Sequence, residues 1–243
     1  MASLLHVGKI NVRSVVRVYL PDTGSVSIRY LRGFHKGETV WLLGSGKSLD
    51  FVPRNFFNDK IVVGVNATCN DWPVDYAFAH HYEDAQHALD HGLIVVASQY
   101  DQGRAENGMN ELKNGAWFQY KHPWQPKTLV MDMGPMERDD PDALVIGSNT
   151  VTSAMDFAGR ILEASTLVLC GVDGGSIDGQ WNYKGYNDDG TMAWPDPDRS
   201  APGGTAIPHV RAQAPLIAQV ITGLTRRGVA VFSLRLDGHE FAQ

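Results

Sequence analysis

Residues 39–51 read "TVWLLGSGKSLDF". An apolar run, Val40 to Leu43, stops at Gly44-Ser45-Gly46-Lys47-Ser48, and Leu49 and Phe51 resume the apolar pattern. A continuous apolar run suits a strand covered on both faces. A strand that ends in Gly-x-Gly turns sharply, exposing backbone N–H groups that can cradle anionic oxygens. The specific phosphate-loop pattern is incomplete, because Trp41 stands where its first glycine belongs. The dinucleotide fingerprint also fails, since its third glycine falls on Leu49. Two readings stand at this point: a phosphate-binding bend, or a tight glycine turn with no ligand.

Outward from this stretch, strand signals and connectors alternate. "SLDFVPRNFFND" predicts a short helical or turn segment and "KIVVGVN" a second buried strand. "VDYAFAHH" reads as a third strand, "YEDAQHALDHG" as a helix closed by Gly92, and "LIVVASQY" as a fourth strand. Residues 101–147 read as irregular, a lid or substrate subdomain. "SNTVTSAMDFAGRILEAS" predicts a helix capped by Ser148 or Asn149, with Val151, Met155, Ala158 and Leu162 on one face. "TLVLCGVDG" is a fifth strand, 174–206 a second irregular stretch, and "HVRAQAPLIAQVITGLTRRG" a final helix leading into "VAVFSLRL". Such alternation indicates an α/β fold, a doubly wound, mostly parallel Rossmann-like sheet with long irregular loops at one edge. Ahead of it, "VRSVVRVYL" and "SVSIRYLRG" flank the turn Pro21-Asp22-Thr23-Gly24, predicting a β-hairpin. The expected division is a hairpin appendage over 1–37 and a catalytic domain over 38–243.

Composition narrows the function classes. The 243 residues suffice for a sizeable core, and 43% hydrophobic with 20% charged residues is ordinary for a globular chain. No apolar run approaches the roughly 20 residues of a membrane span, and the N-terminal stretch carries no signal-peptide pattern. A net charge of −6 argues against non-specific nucleic-acid binding. Cys69 and Cys170 lie far apart without metal-like spacing, as expected of buried thiols in a reducing, cytoplasmic compartment.

"VWLLGSGKSLDF…NDKIVVGVNAT" resembles the opening of the bacterial lipooligosaccharide sialyltransferase family, where a Gly-x-Gly-Pro-Ser-Leu loop is followed by an Asn ending the second strand. The loop is also similar to that of the archaeal hydroxymethylpterin pyrophosphokinase-like family. The departure is Lys47 in place of Pro, a lysine that either touches a phosphate or is solvated beside the loop. "SNTVTSAMDFAGRILEASTLVLCGVDG" resembles the segment in both groups where a Thr/Ser-rich turn opens a helix feeding a strand that ends Gly-x-Asp. By that resemblance the nucleotide-binding positions are Gly44, Ser45, Gly46, Ser48, Asn66, Asn149, Thr150, Thr152, Ser153 and Asp173. "WNYKGY" looks like the sialyltransferase loop whose tyrosines stabilise the departing phosphate, which implies Tyr183 and Tyr186. "AIPHVRAQ" places His209 just before the last helix, where that family carries its general base. The likeness runs in order over roughly 38–235 and implies a glycosyltransferase A-like variant of the sheet.

The resemblance implies transfer of a sugar from a nucleotide-activated, CMP-linked donor to an acceptor hydroxyl by direct displacement. No metal or cofactor is required in that scheme. The acceptor stays open among glycan, lipid, protein and modified nucleic acid, as does a homo-oligomeric state. The alternative is ATP- and Mg²⁺-dependent pyrophosphoryl transfer, with Asp173 at the metal. A third reading is a non-catalytic nucleotide-binding or assembly protein. His80 and His81, at the end of the third strand, rival His209 as the imidazole lining the crevice.

Overall fold

The structure is a computed structural model in which residues 22–98, 108–121, 140–144, 150–173 and 206–234 are described, with backbone alone over 206–214. Eight strands make one sheet: β1 (Gly24–Ser27), β2 (Thr39–Leu43), β3 (Ile61–Val65), β4 (Tyr76–Ala79), β5 (Ile94–Ser98), β6 (Ala116–Tyr120), β7 (Thr166–Cys170) and β8 (Ala230–Ser233). Their order is β1-β6-β5-β4-β3-β2-β7-β8, and every neighbouring pair is parallel. The fold is therefore α/β and Rossmann-like, as the strand–connector alternation predicts. β3, β4 and β5 are buried at every position, which explains why their sequences do not alternate.

Helices α1 (Thr68–Asp71), α2 (Tyr82–Asp90), α3 (Thr150–Asp156) and α4 (Ala206–Arg226) flank the sheet. On one face, Val40, Leu42, Val63, Phe78, Val96 and Leu167 pack with Met155, Phe157, Val220 and Leu224 of the α3 and α4 side. On the other, Ala77, Ala79 and Ala97 present a shallow surface that lets Ala85 and Ala88 of α2 approach closely. The same face over β2, β3 and β7 is covered by two 3₁₀ segments, Lys47–Phe51 and Arg54–Phe57, through Leu49, Val52 and Phe57. Gly92, at φ +73°, closes α2 as its position in the sequence predicts.

The chain steps from β2 through β3, β4, β5 and β6 in one direction, then returns to the other side of β2 for β7 and β8. Strand order thus reverses between β2 and β7, the topological switch point where open α/β sheets take ligands.

Three features differ from the sequence reading. Gly24–Ser27 pairs parallel with β6, and Ile28 and Leu31 of the following 3₁₀ turn are fully buried in the main core. This half of the expected hairpin is integral to the body; its other half, 12–20, lies outside the described residues. Within the stretch read as irregular, Ala116–Tyr120 is an interior strand between β1 and β5. His209 does not precede the last helix but is its fourth residue, because the helix begins at Ala206.

Candidate functional site

At the switch point the bends after β2 and β7 interlock. Gly44 N–H donates to the Cys170 carbonyl at 2.8 Å and Gly46 N–H to the Gly171 carbonyl at 2.7 Å. A Cβ on Gly44 would lie 2.6 Å from the Gly171 oxygen, and one on Gly171 2.5 Å from the Gly44 oxygen. Gly171 also sits at φ +64°, where a side chain is strained. Gly46 faces the Asp173 carboxyl group at 2.5 Å from a would-be Cβ. The glycines of this stretch are therefore required by the chain's own close approach, a sufficient physical reason for them whether or not a ligand binds.

Ser48 continues the contact. Its N–H donates to Asp173 Oδ2 at 2.9 Å and its hydroxyl to Oδ1 at 2.5 Å. A carboxylate of the chain thus occupies the position at the start of the 3₁₀ turn where an anion would be held. Burial pushes the Asp173 carboxyl above the ordinary carboxylate range, and the two Ser48 bonds offset part of that rise. The neighbouring Cys170 thiol is pushed up to about 12, by burial first and by the Asp173 charge second. Lys47 is not solvated beside the loop: it is buried, and its ammonium pairs with Asp50 at 2.6 Å. Ser45 alone of residues 44–48 is exposed.

One strand over, Asn66 ends β3 in the left-handed region at φ +51°, a conformation asparagine tolerates. Its amide oxygen accepts the His80 N–H at 3.0 Å, and its amide nitrogen donates to Thr150 Oγ1 at 3.2 Å. Asn66 and Thr150 are 84 positions apart in the chain, yet they meet at this edge. Thr68, fully buried, levels the ends of β2 and β3: its Oγ1 accepts the Val65 N–H at 2.7 Å and lies 3.1 Å from the Leu43 oxygen.

The remaining candidates of α3 face inward. Thr152 and Ser153 are fully buried, and Ser153 hydrogen-bonds the Tyr120 hydroxyl. Neither is at the surface of the crevice in this form. Asn149, Tyr183, Tyr186 and the His209 side chain lie outside the described residues, as does Gly147. His80, at the end of β4, is fully buried against Tyr120, while His81 is half-buried. Nothing in the sequence signals that His80 meets Tyr120, the last residue of β6, or that Tyr120 in turn bonds Ser98, the last residue of β5. Among the described residues no group of three or more His, Cys, Asp or Glu side chains is arranged to hold a metal ion.

No family model matches the chain, and no curated protein or solved structure matches it either. Among the described residues no helix is long and apolar enough to cross a membrane.

Proposed function

We propose that the chain takes a nucleotide-activated sugar, CMP-linked by the resemblance drawn from its sequence, at the carboxyl edge of the sheet and transfers the sugar to an acceptor hydroxyl. One observation carries this reading. The bend after β2, Asn66 after β3, Thr150 of α3 and Asp173 after β7 converge at the strand-order reversal, although they are scattered through the chain. Ligands of open α/β sheets bind there. In this reading Ser45, Asn66 and Thr150 meet the nucleotide, and Asp173 yields the Ser48 N–H and hydroxyl to a phosphate oxygen. Tyr183 and Tyr186 then donate to the departing phosphate, and His209 takes the proton of the acceptor hydroxyl.

A second reading, ATP- and Mg²⁺-dependent pyrophosphoryl transfer, is favoured by the Ser48–Asp173 contact. A loop serine beside a carboxylate at the end of the adjacent strand is the pairing that holds Mg²⁺ in phosphate-loop enzymes. Thermal shift with CMP, CTP, ATP and UDP, each with and without Mg²⁺, separates the two. Cytidine-selective, metal-independent stabilisation is expected for the transferase; ATP-selective stabilisation that needs Mg²⁺ selects the second reading. No shift with any nucleotide overturns both.

A further inference from the structure

The carboxyl ends of β3, β4, β5 and β6 carry Asn66, His80, Ser98 and Tyr120 in adjacent positions, a polar belt on an otherwise apolar sheet. Their hydrogen bonds, together with one turn of α3, close into a ring. Asn66 Oδ1 accepts the His80 N–H, and His80 Nε2 meets the Tyr120 hydroxyl. Tyr120 bonds Ser153, one helical turn from Thr150, and Thr150 Oγ1 accepts from Asn66 Nδ2. Ser98 reaches the same Tyr120 hydroxyl from β5. A phenol has one proton and two lone pairs, so His80, Ser98 and Ser153 fill its capacity. His80, Ser153 and Tyr120 are fully buried and Ser98 is 1% exposed, so each bond is made away from competing water.

We propose that His80 and Tyr120, the latter acting through Ser153 and braced by Ser98, are positioning residues for the Asn66–Thr150 contact. Asn66 is bonded at both ends of its amide, and the orientation of that amide decides which hydrogen-bonding edge the crevice offers to a nucleoside. The two groups that fix it are a backbone N–H and a helix hydroxyl. Both are tied to Tyr120, on the far side of β5. The ring turns a single asparagine at a strand end into a rigid recognition element. For its ligand, the inference rests on the nucleotide reading above; for its geometry, it stands without it.

The test is Tyr120→Phe, a change that touches neither Asn66 nor Thr150. Its readouts are the side-chain amide resonances of Asn66 in the ligand-free protein and the affinity for CMP. The ring predicts that both Asn66 amide protons shift in the folded variant and that CMP binding weakens about fivefold, the equivalent of one net hydrogen bond. Val168→Ala, in the separate cluster over β7, controls for general loss of stability and leaves the Asn66 resonances in place. Unchanged Asn66 resonances in a folded Tyr120→Phe variant overturn the inference. If that variant does not fold, Ser153→Ala opens the ring at the next bond. The wild type supplies a third readout, a hydrogen-bonded His80 Nε2 in the imidazole ¹⁵N spectrum; a bare, unbonded Nε2 overturns the inference without any variant. Wild-type protein that binds no CMP removes the nucleotide reading alone, since the Asn66 and His80 resonances still decide the ring.

Discussion

Asp173 is held between two opposing influences. Burial disfavours its carboxylate, and two bonds from Ser48 favour it, with burial the larger, so its pKa lies above the ordinary 3.8. The folded chain then binds this proton more readily than the unfolded chain does. The stability due to this group is fully present below 3.8 and is lost as pH rises through the folded value. Asp173→Asn removes that dependence. Urea denaturation of both proteins between about pH 3 and 7 should show the wild type losing ground to the variant as pH rises; a wild-type advantage that grows with pH would contradict the placement. The glycines make a second prediction. Gly171→Ala, at φ +64° with backbone 2.5 Å from the new Cβ, should cost about 3 kcal/mol or more. Gly92→Ala, at φ +73° with nothing within 4 Å, should cost only about 1–2 kcal/mol. Equal losses in thermal melts would show that the two bends do not interlock.

At the scale of elements, α3 depends on one buried charge pair. Asp156 is fully buried and accepts from Arg160 Nε and Nη2 at 3.1 and 3.0 Å. Arg160 also donates to the carbonyl oxygens of Asp140 and Ala143, fastening residues 140–144 over the helix. Removing one partner strands the other, so Asp156→Ala should destabilise by about 3–5 kcal/mol, measured by chemical denaturation; a loss below about 1 kcal/mol would mean the pair is solvated. Elements with long apolar runs were legible in the sequence. β2, β3, β5 and β7 announce themselves because both of their faces are covered. β6 was not legible: "AWFQY" is short, follows Asn114-Gly115 and sits in a polar stretch, so only its neighbours in space make it an interior strand. β1 shows a period-2 pattern that reads equally well as a hairpin arm or as the edge strand it forms beside β6. The start of α4 was placed late because Pro208 lies close to its first residue, where proline reads as a boundary although a first turn tolerates it.

For the molecule as a whole, the two cysteines test how well the core is sealed. Cys69 is buried against the Gly64 carbonyl with its thiol pushed up by burial, and Cys170 is pushed up to about 12. Neither should react with a thiol reagent at pH 8 in the native protein, and both should react in denaturant; fast native labelling would place one of them at the surface. The strand-order reversal beside β2 followed from the sequence only as a fold class, since strand order is a property of the folded sheet. The candidate site was legible in part. Ser48 bonds Asp173 and Asn66 bonds Thr150 at one edge, whereas Thr152 and Ser153 are fully buried; Ser153, one turn along from Thr150, is taken up by the Tyr120 hydroxyl, a partner on a distant strand that the sequence of α3 does not indicate. The Ser48–Asp173 contact was not legible, since nothing local to 44–48 indicates a partner 125 positions away.

In the proposed function, an activated phosphate compound docks where the bends after β2 and β7 meet. Titration of isotope-labelled protein with CMP, followed residue by residue through the backbone amides, tests it most directly. Docking there should give saturable shifts concentrated at Gly44–Ser48, Asn66, Thr150 and Asp173. Saturable shifts confined to other strand ends, or none up to millimolar CMP, would contradict it.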